Sequence, residues 1–201
     1  MARTKRGAMR SGKRKAENQT GSETKKKKVE KVDPTLLAVG DDAPDFEALD
    51  QDENTVKLSE IKKTVVLYFY PKDNTPGCKK EAIQFTKLFD EFEKKDIKIL
   101  GVSTDSAKSH ANFCSKCSLK HTLLVSNDDS QIVEKYKAVG KTGKTAKRIT
   151  YIIGPDMKIV KVYASVRADA HASEVLDYFS TDNAKKEDEV DEKDESEEDE
   201  E

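Results

Sequence analysis

An α/β fold with a mixed central sheet flanked by helices is what the sequence predicts, on three observations. Thr64-Val-Val-Leu-Tyr-Phe-Tyr70 is an unbroken β-branched and aromatic run, the pattern of a strand buried on both faces. Strand-period and helix-period segments alternate after it, which implies βαβ units and parallel pairing. Near the end, two strand-like runs flank Gly154-Pro-Asp-Met157, the pattern of a β-hairpin, which makes the sheet mixed.

In chain order, the globular part opens at Gly40-Asp-Asp-Ala-Pro44-Asp-Phe46, a turn-rich entry. After the first buried strand, Pro71 ends the run, and Asn74 with Pro76-Gly77 marks a loop. From Cys78 to Lys95 the pattern is helical, with Phe85, Leu88, Phe89 and Phe92 on one face. Ile97 to Ser103 is the next strand. Asp105 or Ser106 is placed to cap a helix over Ala107–Cys117, on which Ala107, Ala111, Cys114 and Ser118 share a face. Thr122 to Val125 is a short strand, and a helix follows across Gln131–Ala138. Ile149 to Ile153 and Lys158 to Tyr163 form the hairpin, and His171 to Phe179 an amphipathic closing helix. There is no internal repeat.

Charge divides the chain into three. Residues 1–32 carry a net +9, residues 183–201 a net −9, and the stretch between only −2. Arms of such charge density and so few aliphatic residues cannot bury enough surface to offset chain entropy. The expected organisation is a disordered basic arm over 1–34, a domain over 35–181 and a disordered acidic tail over 182–201. No run of about 18 apolar residues suggests a membrane span, and no apolar stretch at the N-terminus suggests a secretory leader. Three cysteines, an odd number without an export signal, fit a reducing compartment better than a disulfide scaffold. Lys13-Arg-Lys15 and Lys25-Lys-Lys-Lys28 read as a bipartite nuclear localisation signal for an import receptor, or else as solvated charge. The expectation is residence in the nucleus, with the cytoplasm as a second compartment. Weak contact of the arms with nucleic acid or histones is a further expectation, although no aromatic residue is interleaved for base stacking.

Chemistry gathers at Cys78. It sits where a buried strand, a tight loop and a helix start meet, and the first helical turn offers free N–H groups and the positive end of the helix dipole to a thiolate. Pro76-Gly77 makes the sharp turn, Thr75 supplies a hydroxyl three residues earlier, and Pro71 fixes the backbone while removing a donor. Strand C-terminal ends are also where sites gather in open α/β sheets. Local physics leaves a second reading open, in which Pro-Gly-Cys merely starts a helix and the thiol packs inside.

Pro71-x-x-x-Thr75-x-x-Cys78 resembles the active-site signature of the peroxiredoxins, and Thr75-Pro-Gly-Cys78 resembles the peroxiredoxin Q, or bacterioferritin-comigratory-protein, subfamily, including its nuclear thiol peroxidase type. The likeness extends from Gly40–Phe46 through Gly101-Val-Ser-Thr-Asp105 and Arg148–Ile153 to the last helix, nearly the whole domain. It implies a thioredoxin-like fold and reduction of hydrogen peroxide and organic hydroperoxides, without metal or organic cofactor. It further implies that Cys78 is the peroxidatic nucleophile, that Arg148 stabilises the thiolate and the peroxide, that Thr75 orients the peroxide and that Pro71 shields the site. The plain alternative for Arg148 is a solvated cation in the basic loop Lys141–Arg148.

The resemblance is incomplete at Ile83, where many members of the subfamily carry a resolving cysteine. Another branch carries it on the next helix, which implies Cys114, 36 residues after Cys78, with Cys117 as competitor. Thioredoxin is then the implied reductant, and a monomer the implied state. Cys114-x-x-Cys117 has three other readings: structural thiols, a redox pair, for which its place late in a helix is wrong, and a metal site with His110 and His121, which lacks a second cysteine pair. Two other functions are carried alongside: a chromatin-associated interaction protein or redox sensor on a peroxidase scaffold, and a general disulfide oxidoreductase using Cys114 and Cys117.

Overall fold

A computed structural model describes residues 35–127 and 129–190. The expected basic arm, with its two lysine clusters, and the end of the acidic tail lie outside these residues. Among the described residues no helix is long and apolar enough to cross a membrane.

The first ordered elements are two short strands, β1 (Glu47–Leu49) and β2 (Thr55–Lys57), paired antiparallel as a ladder of their own. At three residues each they are too short to show alternation in sequence. The buried run forms β3 (Thr64–Phe69), buried from Val65 onward as its composition implies. The helical segment after it is two helices, α1 (Pro76–Lys87) and α2 (Phe89–Lys94), rather than one. The break falls at Leu88, with φ −97° and ψ 5°, and Phe85 before it and Phe92 after it are both fully buried. β4 (Ile97–Ser103), α3 (Ala107–Cys117) and β5 (Thr122–Val125) follow at the expected bounds. Ser106 is the cap of α3, its Oγ accepting from Ser109 N at 3.3 Å.

Two expectations are corrected. The buried face of α3 is His110 and Phe113, not the face through Ala107, Ala111 and Ser118; of the expected four only Cys114 packs against the core, and partly. Small residues mimic a face by spacing, but the large ring is what displaces water. The helix expected across Gln131–Ala138 is α4 (Ile132–Lys135), because Gln131 and Lys137 both take left-handed φ values, 48° and 52°. The hairpin is β6 (Ile149–Ile153) and β7 (Ile159–Tyr163), and the closing helix α5 (His171–Val190) continues past Phe179.

The main sheet has the order β5-β4-β3-β6-β7, with β5, β4 and β3 parallel and β6 and β7 antiparallel. Alternate residues of β3 face opposite cores. Val65, Leu67 and Phe69 join Phe46, Leu58 and Tyr136 on one face; Val66, Tyr68 and Tyr70 join Cys78, Phe85 and Phe113 on the other. The second core matters here, because the start of α1 is built onto it. Tyr68 stacks on Phe85 at 4.9 Å and lies opposite Gly101 in the ladder. A Cβ at Gly101 would stand 2.6 Å from the Tyr68 ring, so glycine is required there by close packing rather than by backbone conformation.

Gly101→Ala is therefore expected to lower stability by about 1–3 kcal/mol through overpacking. A lower urea midpoint at unchanged m-value checks it, and an unshifted midpoint would refute the packing account.

Candidate active site

The site is assembled where β3 ends. Tyr70 N–H donates to Val102 O at 3.1 Å, and beyond Pro71 the chain turns through Asn74, whose φ of 60° is one asparagine tolerates. Thr75 is extended, with φ −76° and ψ 150°, and is the N-cap of α1, with Pro76 at the first helical position, where its fixed φ fits and its missing N–H is not needed. The first helical hydrogen bond runs from Lys79 N to Thr75 O at 2.9 Å. The amides of Gly77 and Cys78 precede it, so Cys78 lies in the turn where N–H groups and the positive end of the dipole are concentrated.

Arg148 comes to the same point from across the sheet. The β3–β6 register sets Phe69 opposite Ile149, so the residue before Ile149 emerges beside the loop that follows β3. Its Nη2 donates to Cys78 Sγ at 3.2 Å, and its Nη1 pairs with Glu81 Oε2. Gly77 lies directly beside this fork: a Cβ there would meet Arg148 Nη2 at 3.4 Å, an ordinary contact. The reading of Arg148 as a solvated cation is thus set aside by its contacts and its partial burial.

Cys78 is 2% exposed, so the thiol is both packed in the core and in contact with a cation. Thr75 stands three residues away at the helix start, its Oγ1 donating to Lys72 O at 3.2 Å. Pro71 is half-buried in the same loop. Cys114 and Cys117 are half-buried on the last turns of α3, packed against the core cluster that holds Cys78, and α3 touches α1. All three thiols are free.

Two functional features escaped sequence reasoning. Glu81 is fully buried, and together with Cys78, Ala82 and Phe85 it makes the inward face of α1. That spacing of three, four and seven was the available signal: a carboxylate on an apolar stripe. The other is a polar cluster around Asp73. Its Oδ1 accepts from Tyr70 OH at 2.8 Å, its Oδ2 from Ser109 Oγ at 2.6 Å, and His110 Nδ1 lies 3.0 Å from the same Oδ2. No short sequence pattern links residues 36 and 37 positions apart.

Electrostatics follow from burial against pairing. Burial pushes the Glu81 carboxyl up to about 7, the nearby Arg148 charge offsetting only part of it. Burial works against the Arg148 charge too, but Glu81 and Cys78 outweigh it and hold the guanidinium more firmly protonated than usual. Burial would raise the Asp73 carboxyl; the bonds from His110, Ser109 and Tyr70 prevail and keep it below its ordinary value. Cys114 is pushed up to about 11 by burial first and by Asp73 next, so in this packing it is a thiol at neutral pH.

Comparison with known proteins bears on this geometry. A family model described as the AhpC/TSA family matches residues 39–162. The chain is 43% identical over 148 residues to the bcp protein of Helicobacter pylori (strain J99), covering 70% of this chain and 97% of that one. It is 37% identical over 147 residues to peroxiredoxin Bcp of Bacillus subtilis (strain 168), covering 70% and 93%. A Xanthomonas campestris bacterioferritin comigratory protein, whose structures are described as trapped intermediate and ligand complexes bearing on alkyl peroxide reduction, superposes with a TM-score of 0.62 at 31% identity over 67% of this chain and 90% of that chain. These relatives overturn the expectation of nuclear residence. They are bacterial proteins, from cells that have no nucleus, and the lysine clusters that suggested an import signal lie outside residues 39–162. A lysine run is in the first place a solvated charge, and an address only where a receptor reads it.

The raised Glu81 carboxyl makes a pH prediction. Between about 4.5 and about 7 the folded chain holds a proton that the unfolded chain has released, so this group's contribution to stability is lost as pH rises through that window. The unaltered protein is expected to lose up to a few kcal/mol more than Glu81→Gln between pH 5 and pH 8 in urea unfolding. Parallel curves for the two would refute it.

Proposed function

The chain belongs to the AhpC/TSA family as a thiol peroxidase with the thioredoxin-like fold, close to the Bcp and peroxiredoxin Q proteins, and from that premise we propose that Cys78 carries its chemistry. One observation carries the reading: the guanidinium of Arg148 donates to Cys78 Sγ at 3.2 Å in the first turn of α1. A thiolate in that position attacks the terminal oxygen of a hydroperoxide. The O–O bond breaks, the sulfur gains the hydroxyl as sulfenic acid, and the other oxygen leaves as alkoxide or hydroxide and takes a proton. The sulfur gives up two electrons and the peroxide gains them. Charge grows on the leaving oxygen, and Arg148 is the fixed cation beside it. Thr75 orients the peroxide from the helix N-cap, and Pro71 shields the sulfur on the loop side. The activity named for the Xanthomonas relative supports organic hydroperoxides alongside hydrogen peroxide as substrates.

Resolution falls to Cys114 in this reading. Its thiol condenses with the sulfenic acid, releasing water and forming a Cys78–Cys114 disulfide; thioredoxin then supplies two electrons and two protons to restore both thiols. Two features support it. Ile83 rules out a partner on α1, and Cys114 packs against the cluster that contains Cys78. A thiol held up to about 11 attacks poorly, so it reacts after leaving its packing, which ties resolution to unwinding of the helix end.

Cys78→Ser is expected to abolish peroxide reduction, a loss of about a thousandfold or more, while leaving the unfolding midpoint near that of the unaltered protein. Turnover surviving in that variant would sink the assignment. Mass spectrometry of protein treated with one equivalent of peroxide without reductant is expected to find the Cys78–Cys114 bond; a Cys78–Cys117 bond would transfer the resolving role.

A further inference from the structure

We propose that Asp73 is a pivot that bolts the loop carrying Cys78 to helix α3 and stays closed while the ends of both helices unwind to form the disulfide. The inference rests on the resolving role of Cys114 read above and deepens it by assigning positioning residues, Asp73, Ser109 and His110, that touch neither reacting sulfur.

One carboxylate joins the two elements. From α3 it receives Ser109 Oγ at 2.6 Å and faces His110 Nδ1 at 3.0 Å through Oδ2 and 3.2 Å through Oδ1. From its own loop it receives Tyr70 OH at 2.8 Å. Its backbone is tied as well, Asp73 N–H donating to Asp105 Oδ2 at 2.8 Å, just before the helix cap. The other ring nitrogen of His110 lies 3.2 Å from Leu124 O on β5, so the joint is anchored to the sheet. Hydrogen bonds to a buried charged group are among the stronger ones, and opening this joint would strand a carboxylate away from water.

The far end of α3 is built differently. It closes at Ser118, a non-glycine residue in left-handed conformation with φ 49°, held by Ser118 N to Ser115 O at 3.4 Å and Leu119 N to Cys114 O at 3.0 Å. Such a cap is strained for serine. Cys114 and Cys117 are half-buried, whereas His110 and Phe113 are fully buried. Unwinding therefore begins at Ser118 and meets its stop at His110, where the joint to Asp73 holds.

Distance gives the pivot its use. Cys78 lies five residues past Asp73, and Cys114 four residues past His110. Extended, those stretches reach about 16 Å and about 13 Å, ample for two sulfurs to meet. Tethered so, the thiols search a loop of about nine residues instead of the roughly 14 left by the next tie, Asp73 N–H to Asp105, and loop-closure entropy favours the shorter loop by about twofold in effective concentration. The negative charge of Asp73 also helps to keep Cys114 protonated until it moves away.

The test separates the two chemical steps in the full-length protein. Sulfenic acid formation and disulfide formation are each followed by rapid quenching, alkylation and mass spectrometry after one equivalent of hydrogen peroxide. His110→Leu is expected to slow disulfide formation about twofold, Ser109→Ala by a smaller factor with the fold undisturbed, and neither to change the rate of attack on peroxide. His110→Asn, which keeps a donor toward Asp73, is expected to recover most of the rate. Slower resolution also leaves the sulfenic acid exposed longer, so sulfinic acid at Cys78 rises under excess peroxide in the same order. Disulfide formation unchanged or faster in Ser109→Ala and in His110→Leu would overturn the pivot alone. Failure of any Cys78–Cys114 bond to form in the unaltered protein would overturn the resolving assignment and the pivot with it.

Discussion

Arg148 carries a charge largely withdrawn from water, and the architecture at the start of α1 follows from what that charge requires. A guanidinium in such a place is costly unless it is paired and its N–H groups are used. Glu81 pairs with one arm from a fully buried position, and the sulfur of Cys78 receives the other. The two partners are three residues apart on a helix, which sets them on one face at the spacing a planar fork can bridge. The register of β6 against β3 delivers the arginine to the right edge. Shifting that register by one residue would turn Arg148 to the opposite face of the sheet and dissolve the site.

Beneath this pair lies an aromatic layer that makes the helix start rigid. Tyr68 stacks on Phe85 and on Tyr70, and His121 accepts or donates to Tyr68 OH at 2.7 Å. Burial lowers His121 to about 3 and His171 to about 4, so at neutral pH both rings are uncharged packing groups. His171 spends one nitrogen on Thr150 Oγ1 at 2.8 Å. The third histidine, His110, belongs to the Asp73 cluster. His110 and His121, which sequence proximity set beside Cys114 and Cys117 as metal-ligand candidates, thus have separate hydrogen-bond partners, Asp73 and Tyr68, on the same aromatic layer.

Much of the candidate site's local geometry was legible from the chain, and what escaped did so for identifiable reasons. Pro71, Thr75 and Cys78 lie within eight residues, so the strand end, the loop and the helix cap that arrange them are local events. Arg148 is 70 residues from Cys78 and was reached only through resemblance; the antiparallel register turns that likeness into a contact of 3.2 Å. Glu81 was visible in principle, as a charge on the stripe through Cys78, Ala82 and Phe85, but reading the phenylalanines alone drew the helical face further along and past Leu88, where the helix breaks. The face of α3 was misread because alanine and serine spacing counts for little against the volume of His110 and Phe113.

By itself the sequence determined the order and type of the main elements, the two-sided burial of β3 and the place of Cys78 at a helix start. These depend on composition, periodicity and turn residues within short windows, where neighbours in sequence are neighbours in space. Only the tertiary structure decided what surrounds the sulfur. The Arg148–Glu81 pair, the joint between Asp73 and α3 and the burial that keeps Cys114 protonated each bring together groups from distant segments or depend on how those segments pack. Their physics is desolvation offset by pairing, and desolvation has no value until the sheet and helices have closed over the groups concerned.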